Sequence, residues 1–173
     1  GIVTFLGQAN AYTDTPDQRM KLRQLKEQCE TNQRDEELYQ RAVDIVSVRD
    51  VDNYPTAVRL LEQVDRRSRI APDAQAYVQW IDADLKVREA QRHYELGDDS
   101  RAFKLLNDAL QYEVLGPEAR ASVRTRRQNW GRVVTAYKRG LELFNGNRTR
   151  EAQEEFQRVI QLEPSRANTY HRR

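Results

Sequence analysis

The chain contains a single cysteine, Cys29, which rules out an internal disulfide framework and a multi-cysteine zinc site. Glycine and proline are scarce, at 7 and 5 residues, too few for the many turns of a compact β fold. No apolar run approaches the roughly 20 residues that cross a bilayer, and no signal-peptide pattern opens the chain. It begins at Gly1 without Met, so it is expected to be an excised domain or a processed product. The two histidines, His93 and His171, stand far apart without a Cys or carboxylate at ligand spacing, so no metal centre and no cofactor is implied. Glycine-rich phosphate loops and nucleophile elbows are missing too. An enzyme is therefore the class with least support.

What is present is charge. Charged residues make up 32% of the chain and hydrophobic ones only 38%, a balance that fits an all-α protein with wide solvated faces. At 173 residues it has the length of one domain or of a short repeat array. The net charge of +2 conceals an asymmetry. Residues 1–114 carry −5 and residues 115–173 carry +7. The basic third could attract an acidic partner, an anionic surface or nucleic acid, although a solvated face is the simpler reading. Arginine outnumbers lysine 24 to 5, and arginine is the better bidentate partner for carboxylate or phosphate.

Punctuation and periodicity predict the helices. Residues 1–15 lack a sustained period and read as an arm. Thr15–Pro16–Asp17 then has the order of an N-cap, a first helical residue and an acid in the first turn, and starts a helix to about Glu30. A second helix is expected over 34–50, with Leu38, Ala42, Ile45 and Val46 on one stripe. Asp52–Asn53–Tyr54–Pro55 reads as a turn, and Thr56 to Arg67 as a third helix. Helices are then expected over 72–96, 101–110 and 117–144, with Gly97–Asp98–Asp99–Ser100 as a turn and cap. Within 72–96 the stripe Ala74, Val78, Ile81, Leu85 gives way to Ala83, Val87, Ala90, Tyr94. That phase change predicts two packing environments or a break near Asp82–Asp84.

Residues 137–164 combine a helix, an Asn/Gly turn and a second helix. Gly140 stands at the point of closest helix approach, Ala152 and Phe156 face back, and Pro164 ends the unit. The segment resembles a tetratricopeptide repeat. Superposing its positions places Ala57, Leu61 and Val64 in a first such unit, and Ala90, Ala102, Leu106 and Ala109 in a second. The resemblance implies an irregular helical-hairpin solenoid over residues 34–173, with repeats at about 38–67, 83–112 and 137–164, preceded by an arm and helix over 1–33. The units lie 45 and 50 residues apart rather than about 34, so elongated first helices must absorb the excess. Tyr170 falls where a following unit would place its first aromatic residue.

The resemblance also implies a groove lined by the first helix of each pair. Carried over, it holds Tyr39, Ala42, Val46 and Arg49, then Asp84, Val87, Gln91 and Tyr94, then Val134, Tyr137, Leu141 and Phe144. Because residues 134–144 are apolar on two faces, that helix is either covered on both or open to a partner. Arg120, Arg124 and Arg127 form a basic stripe on one face of the preceding turns. No aromatic platform alternates with them, which counts against nucleic acid as a ligand.

The implied function is a non-catalytic scaffold that holds a protein partner, one with an acidic segment, within a multiprotein assembly. Arginine-rich bacterial proteins of this kind often serve envelope, secretion, pilus or motility machines, an analogy from fold alone. The alternatives are a homo-oligomeric structural subunit and a nucleic-acid-binding module acting through the basic third.

Overall fold

The computed structural model describes residues 15–48, 50–165 and 168–172. The N-terminal arm, Arg49 and the side chains of His171 and Arg172 lie outside that description. The described residues contain no strand and form an all-α helical-hairpin fold. Six helices follow one another: α1 (Pro16–Ser47), α2 (Tyr54–Glu62), α3 (Ala71–Glu95), α4 (Asp99–Ala109), α5 (Pro117–Asn145) and α6 (Thr149–Leu162). A single turn of helix, α7 (Thr169–Arg172), comes last. Proline opens four of them, occupying the first or second helical position where its missing N–H costs nothing.

Two expected boundaries differ. The helices predicted on either side of residue 33 are one continuous helix of 32 residues. Thr31, Asn32 and Gln33 are polar but contain no proline or glycine to stop it. The helix expected to reach Arg67 ends at Glu62. Its C-terminal stretch is drawn off onto α1, where the fully buried Asp35 carboxylate accepts the Asp65 amide at 3.1 Å and Asn32 Oδ1 accepts the Arg69 amide at 3.3 Å.

The chain divides into two compact units, residues 1–81 and 82–173. In the first, α1 and α2 pack through Ala42, Val46, Tyr54, Ala57 and Leu61, all buried. Tyr77 stacks on Trp80 and tilts against Tyr39, with ring centroids at 5.7 and 5.9 Å. The phase change in α3 coincides with the border between the units, yet the helix does not break there. The pairs Asp82–Lys86 and Asp84–Arg88, each four residues apart, bridge successive turns instead.

In the second unit the two helix reversals are built alike. After α3, Gly97 adopts φ +82° while the Asp98 amide reaches His93 O and the Gly97 amide reaches Tyr94 O. After α5, Asn147 adopts φ 58° while the Arg148 amide reaches Leu143 O and the Asn147 amide reaches Phe144 O. This double hydrogen bond closes a helix on a left-handed residue, a role that glycine or asparagine fills at least cost. Ala90, Ala102, Leu106 and Ala109 are buried around the first reversal, and Gly140, Ala152 and Val159 around the second. At Gly140 the helices approach so closely that a Cβ would lie 2.6 Å from the Phe156 ring.

Candidate protein-binding face

The candidate site is a seam along α5. Val123, Trp130, Val134, Tyr137, Leu141 and Phe144 recur at intervals of three, four or seven residues and so share one side of the helix. Cover runs out along this seam. Val123, Trp130 and Val134 are buried and Tyr137 is partly buried, but Leu141 is 39% exposed and Phe144 57% exposed.

Aromatic rings supply the cover. Tyr94 of α3, with no exposed surface, stacks on Trp130 at 4.2 Å and nearly parallel. Tyr170 of α7 packs against Tyr94 at 5.4 Å and edge-on against Tyr137 at 5.3 Å. Tyr137 in turn tilts against Phe156 of α6 at 6.1 Å. Burial, together with the neighbouring Glu163 carboxylate, pushes the Tyr94 phenol well above its ordinary pKa. It stays neutral across the physiological range.

The residues expected to line a groove therefore separate into three groups. Tyr94 and Tyr137 belong to this internal ring cluster rather than to an open surface. Val134, with Phe103 and Gly131, lines a shallow cleft of ≈ 730 Å³ rimmed by Lys104 and Lys138. Only Leu141 and Phe144 present apolar area directly to solvent. Among the earlier positions, Ala42 and Val46 are buried, Tyr39 meets Tyr77, Asp84 pairs with Arg88, and Val87 packs on the core of the second unit.

The arginine stripe divides as well. Arg120 turns back on its own helix start, where Nε donates to Leu115 O at 3.0 Å and Nη2 to Tyr112 O at 2.7 Å. It fixes the loop before α5. Arg124 and Arg127 are exposed and have no ion-pair partner among the described residues. The neighbouring Arg126 guanidinium lies over the Trp130 ring at 5.9 Å.

No protein-family model, curated protein or solved structure matches this chain. Chemistry must be read from the side chains alone. Among the described residues no three His, Cys, Asp or Glu groups converge as metal ligands, and no helix is long and apolar enough to cross a membrane. His93 is buried with Nδ1 at 3.3 Å from Asp98 and Nε2 at 3.5 Å from Glu89. Both ring nitrogens thus face carboxylates, whereas a nucleophilic site needs a hydroxyl or thiol on one of them. Asp50 and Asp98 cap their turns, accepting the Asp52 and Arg101 amides at 3.2 Å each.

Sequence reasoning singled out Leu141 and Phe144 together with residues that the fold consumes. The part it missed is the ring partnership of Trp130 with Tyr94. The four-residue and three-residue steps from Trp130 through Val134 to Tyr137 carried that signal.

Proposed function

We propose that this chain is a non-catalytic helical scaffold, similar to tetratricopeptide proteins, which holds a helical segment of a partner protein at the C-terminal end of α5. One likeness within the chain carries the reading. Tyr94 and Phe144 occupy equivalent places, each accepting through its carbonyl the amide of the left-handed residue that closes its helix. Tyr94 is buried beneath Trp130 of a following helix, while Phe144 is exposed. An apolar position that is covered in one hairpin and bare in the next suits a helix supplied by another molecule. Arg124 and Arg127, about 14 to 20 residues back along α5 and so roughly 20 to 30 Å away, would steer an acidic stretch of that partner.

A photo-crosslinking side chain at position 144 should give discrete protein adducts in cells, and the same group at the exposed Gln153 should not. Leu141→Asp should abolish the adducts while leaving stability within about 0.5 kcal/mol, as is usual for exposed positions. Identical adducts from positions 144 and 153 would remove the proposal.

A second reading, self-association, has its own observation. The first half of α1 is exposed, including Met20 at 57% and Leu25 at 49%. Arg19, Lys21, Arg23 and Lys26 precede Glu27, Glu30, Glu36 and Glu37 along the same helix. Two copies packed antiparallel would set the net-basic stretch 19–26 of one against the net-acidic stretch 27–37 of the other. Light scattering over a dilution series tests it, and a monomer at every concentration would exclude it.

A further inference from the structure

We infer that the cleft between α5 and α6, on the side of α5 turned away from the seam, is a binding site for a phosphate monoester whose terminal oxygens accept from Arg132, Arg139 and Arg158. The inference goes beyond the scaffold reading and does not rest on it.

The cleft encloses ≈ 420 Å³, within the size range of small-ligand sites. Its α5 wall is polar for a reason of register. Gln128, Arg132, Thr135 and Arg139 each lie two residues from Trp130 or Tyr137, and so on the opposite side of the helix from the apolar seam. Arg158 and Glu155 supply the α6 wall. Gly131, which lines the same cleft, adds no side chain to fill it.

Elsewhere around this hairpin arginines pair singly with acids, Arg148 with Glu151 and Arg150 with Glu154. In the cleft, three guanidinium groups share one carboxylate. Arg139 Nε stands 3.5 Å from Glu155 Oε1, and Arg158 Nη1 stands 4.0 Å from Glu155 Oε2. These are ion pairs without a hydrogen bond, and the buried Oε2 accepts none from any group. Arg132 has neither an ion pair nor a side-chain hydrogen bond among the described residues. Glu155 thus draws guanidinium groups together from two helices while leaving their N–H donors uncommitted.

Like charges gathered in one cleft repel, and an anion between them removes that cost. Charge and geometry together select the anion. A phosphate monoester brings a charge of about −1.5 to −2 and three acceptor oxygens on one atom, and arginine meets such oxygens with paired, planar donors. A nucleic-acid backbone carries one charge per phosphate and is followed by cations spread along a groove. Here the cations come from two helices to a single cleft instead. The Thr135 hydroxyl, between Arg132 and Arg139 along α5, supplies a further donor.

The test is a titration of the whole isotope-labelled chain with inorganic phosphate at constant ionic strength, read by NMR at the arginine Nε–H resonances. Those of Arg132, Arg139 and Arg158 should shift along one saturable curve, while those of Arg124 and Arg127, exposed on the same helix, should not move. Arg132→Gln and Arg158→Gln should each weaken binding about tenfold, the effect of losing a hydrogen bond between charged groups. Their urea midpoints should stay unchanged, as is usual for exposed positions. Arg124→Gln should bind phosphate as the original chain does. Dimethyl phosphate, a singly charged diester, should bind at least about tenfold more weakly than phosphate. A phosphoserine peptide that binds more tightly than glycerol phosphate would assign the group to a protein, and the reverse order to a small metabolite; either order supports the site. Shifts that never saturate, equal shifts at Arg124 and Arg127, undiminished binding by both glutamine variants, or equal binding of monoester and diester would each overturn the inference. Absence of crosslinks at position 144 would count against the scaffold role without touching these titrations, so the two failures are distinguishable.

Discussion

Gly140 shows how much a single side chain decides in this protein. Because a methyl group there would meet the Phe156 ring, Gly140→Ala forces the α5–α6 contact apart despite alanine's better helix propensity. A loss of about 1 to 3 kcal/mol is expected in urea unfolding, as for other overpacked contacts. Adding Phe156→Leu should recover part of it. Asp82 is the corresponding case for charge. Burial raises its carboxyl pKa, but hydrogen bonds from Tyr112 and Lys86, with the Lys86 charge, outweigh burial and hold it below the ordinary value. A depressed carboxylate stabilises the fold above its unfolded pKa, near 4, and that contribution disappears as pH falls through the lower folded value. The original chain should therefore lose more stability on acidification below about pH 4 than Asp82→Asn does. The difference should be at most about 1 kcal/mol, since the side chain is 48% exposed.

Among the helices, the long ones explain both what the sequence revealed and what it hid. Proline starts and the Gly/Asn reversals are local signals, and the expected ends of α3, α4 and α5 fall within a residue or two of the observed ones. The continuity of α1 was not legible, because the polar residues at 31–33 suggested a gap although Asn32 serves the loop at 65–69. The early end of α2 has the same cause, a contact between residues some 30 positions apart. Gly131 lies inside α5, and beyond the helix's own nearby backbone nothing lies within 4 Å of where a methyl group would stand, so it is a weak point of propensity rather than of packing. Gly131→Ala should stabilise the chain by about 1 kcal/mol, seen as a higher urea midpoint with an unchanged slope. The contrast with Gly140, nine residues on, separates the two uses of glycine in one helix.

For the molecule as a whole, the division at residues 81 and 82 is the main feature. α3 gives its first half to one unit and its second half to the other, which is why its apolar stripe changes phase without a break. Amide hydrogen exchange on Gly140→Ala should accelerate within residues 82–173 and leave 15–81 unchanged. Acceleration spread evenly over both units would instead show one cooperative structure. Helicity, the places where the chain reverses and the small residues that meet there are already written in the sequence, because propensity, capping and close contact act over a few positions. Which apolar residues stay bare is settled only once the helices have packed. Tyr94, Tyr137 and Phe144 were all expected to line one groove, and they part only when Trp130 and Tyr170 arrive from other helices to cover the first two. Burial is a property of the neighbours a residue acquires, and those neighbours are set by packing across the chain.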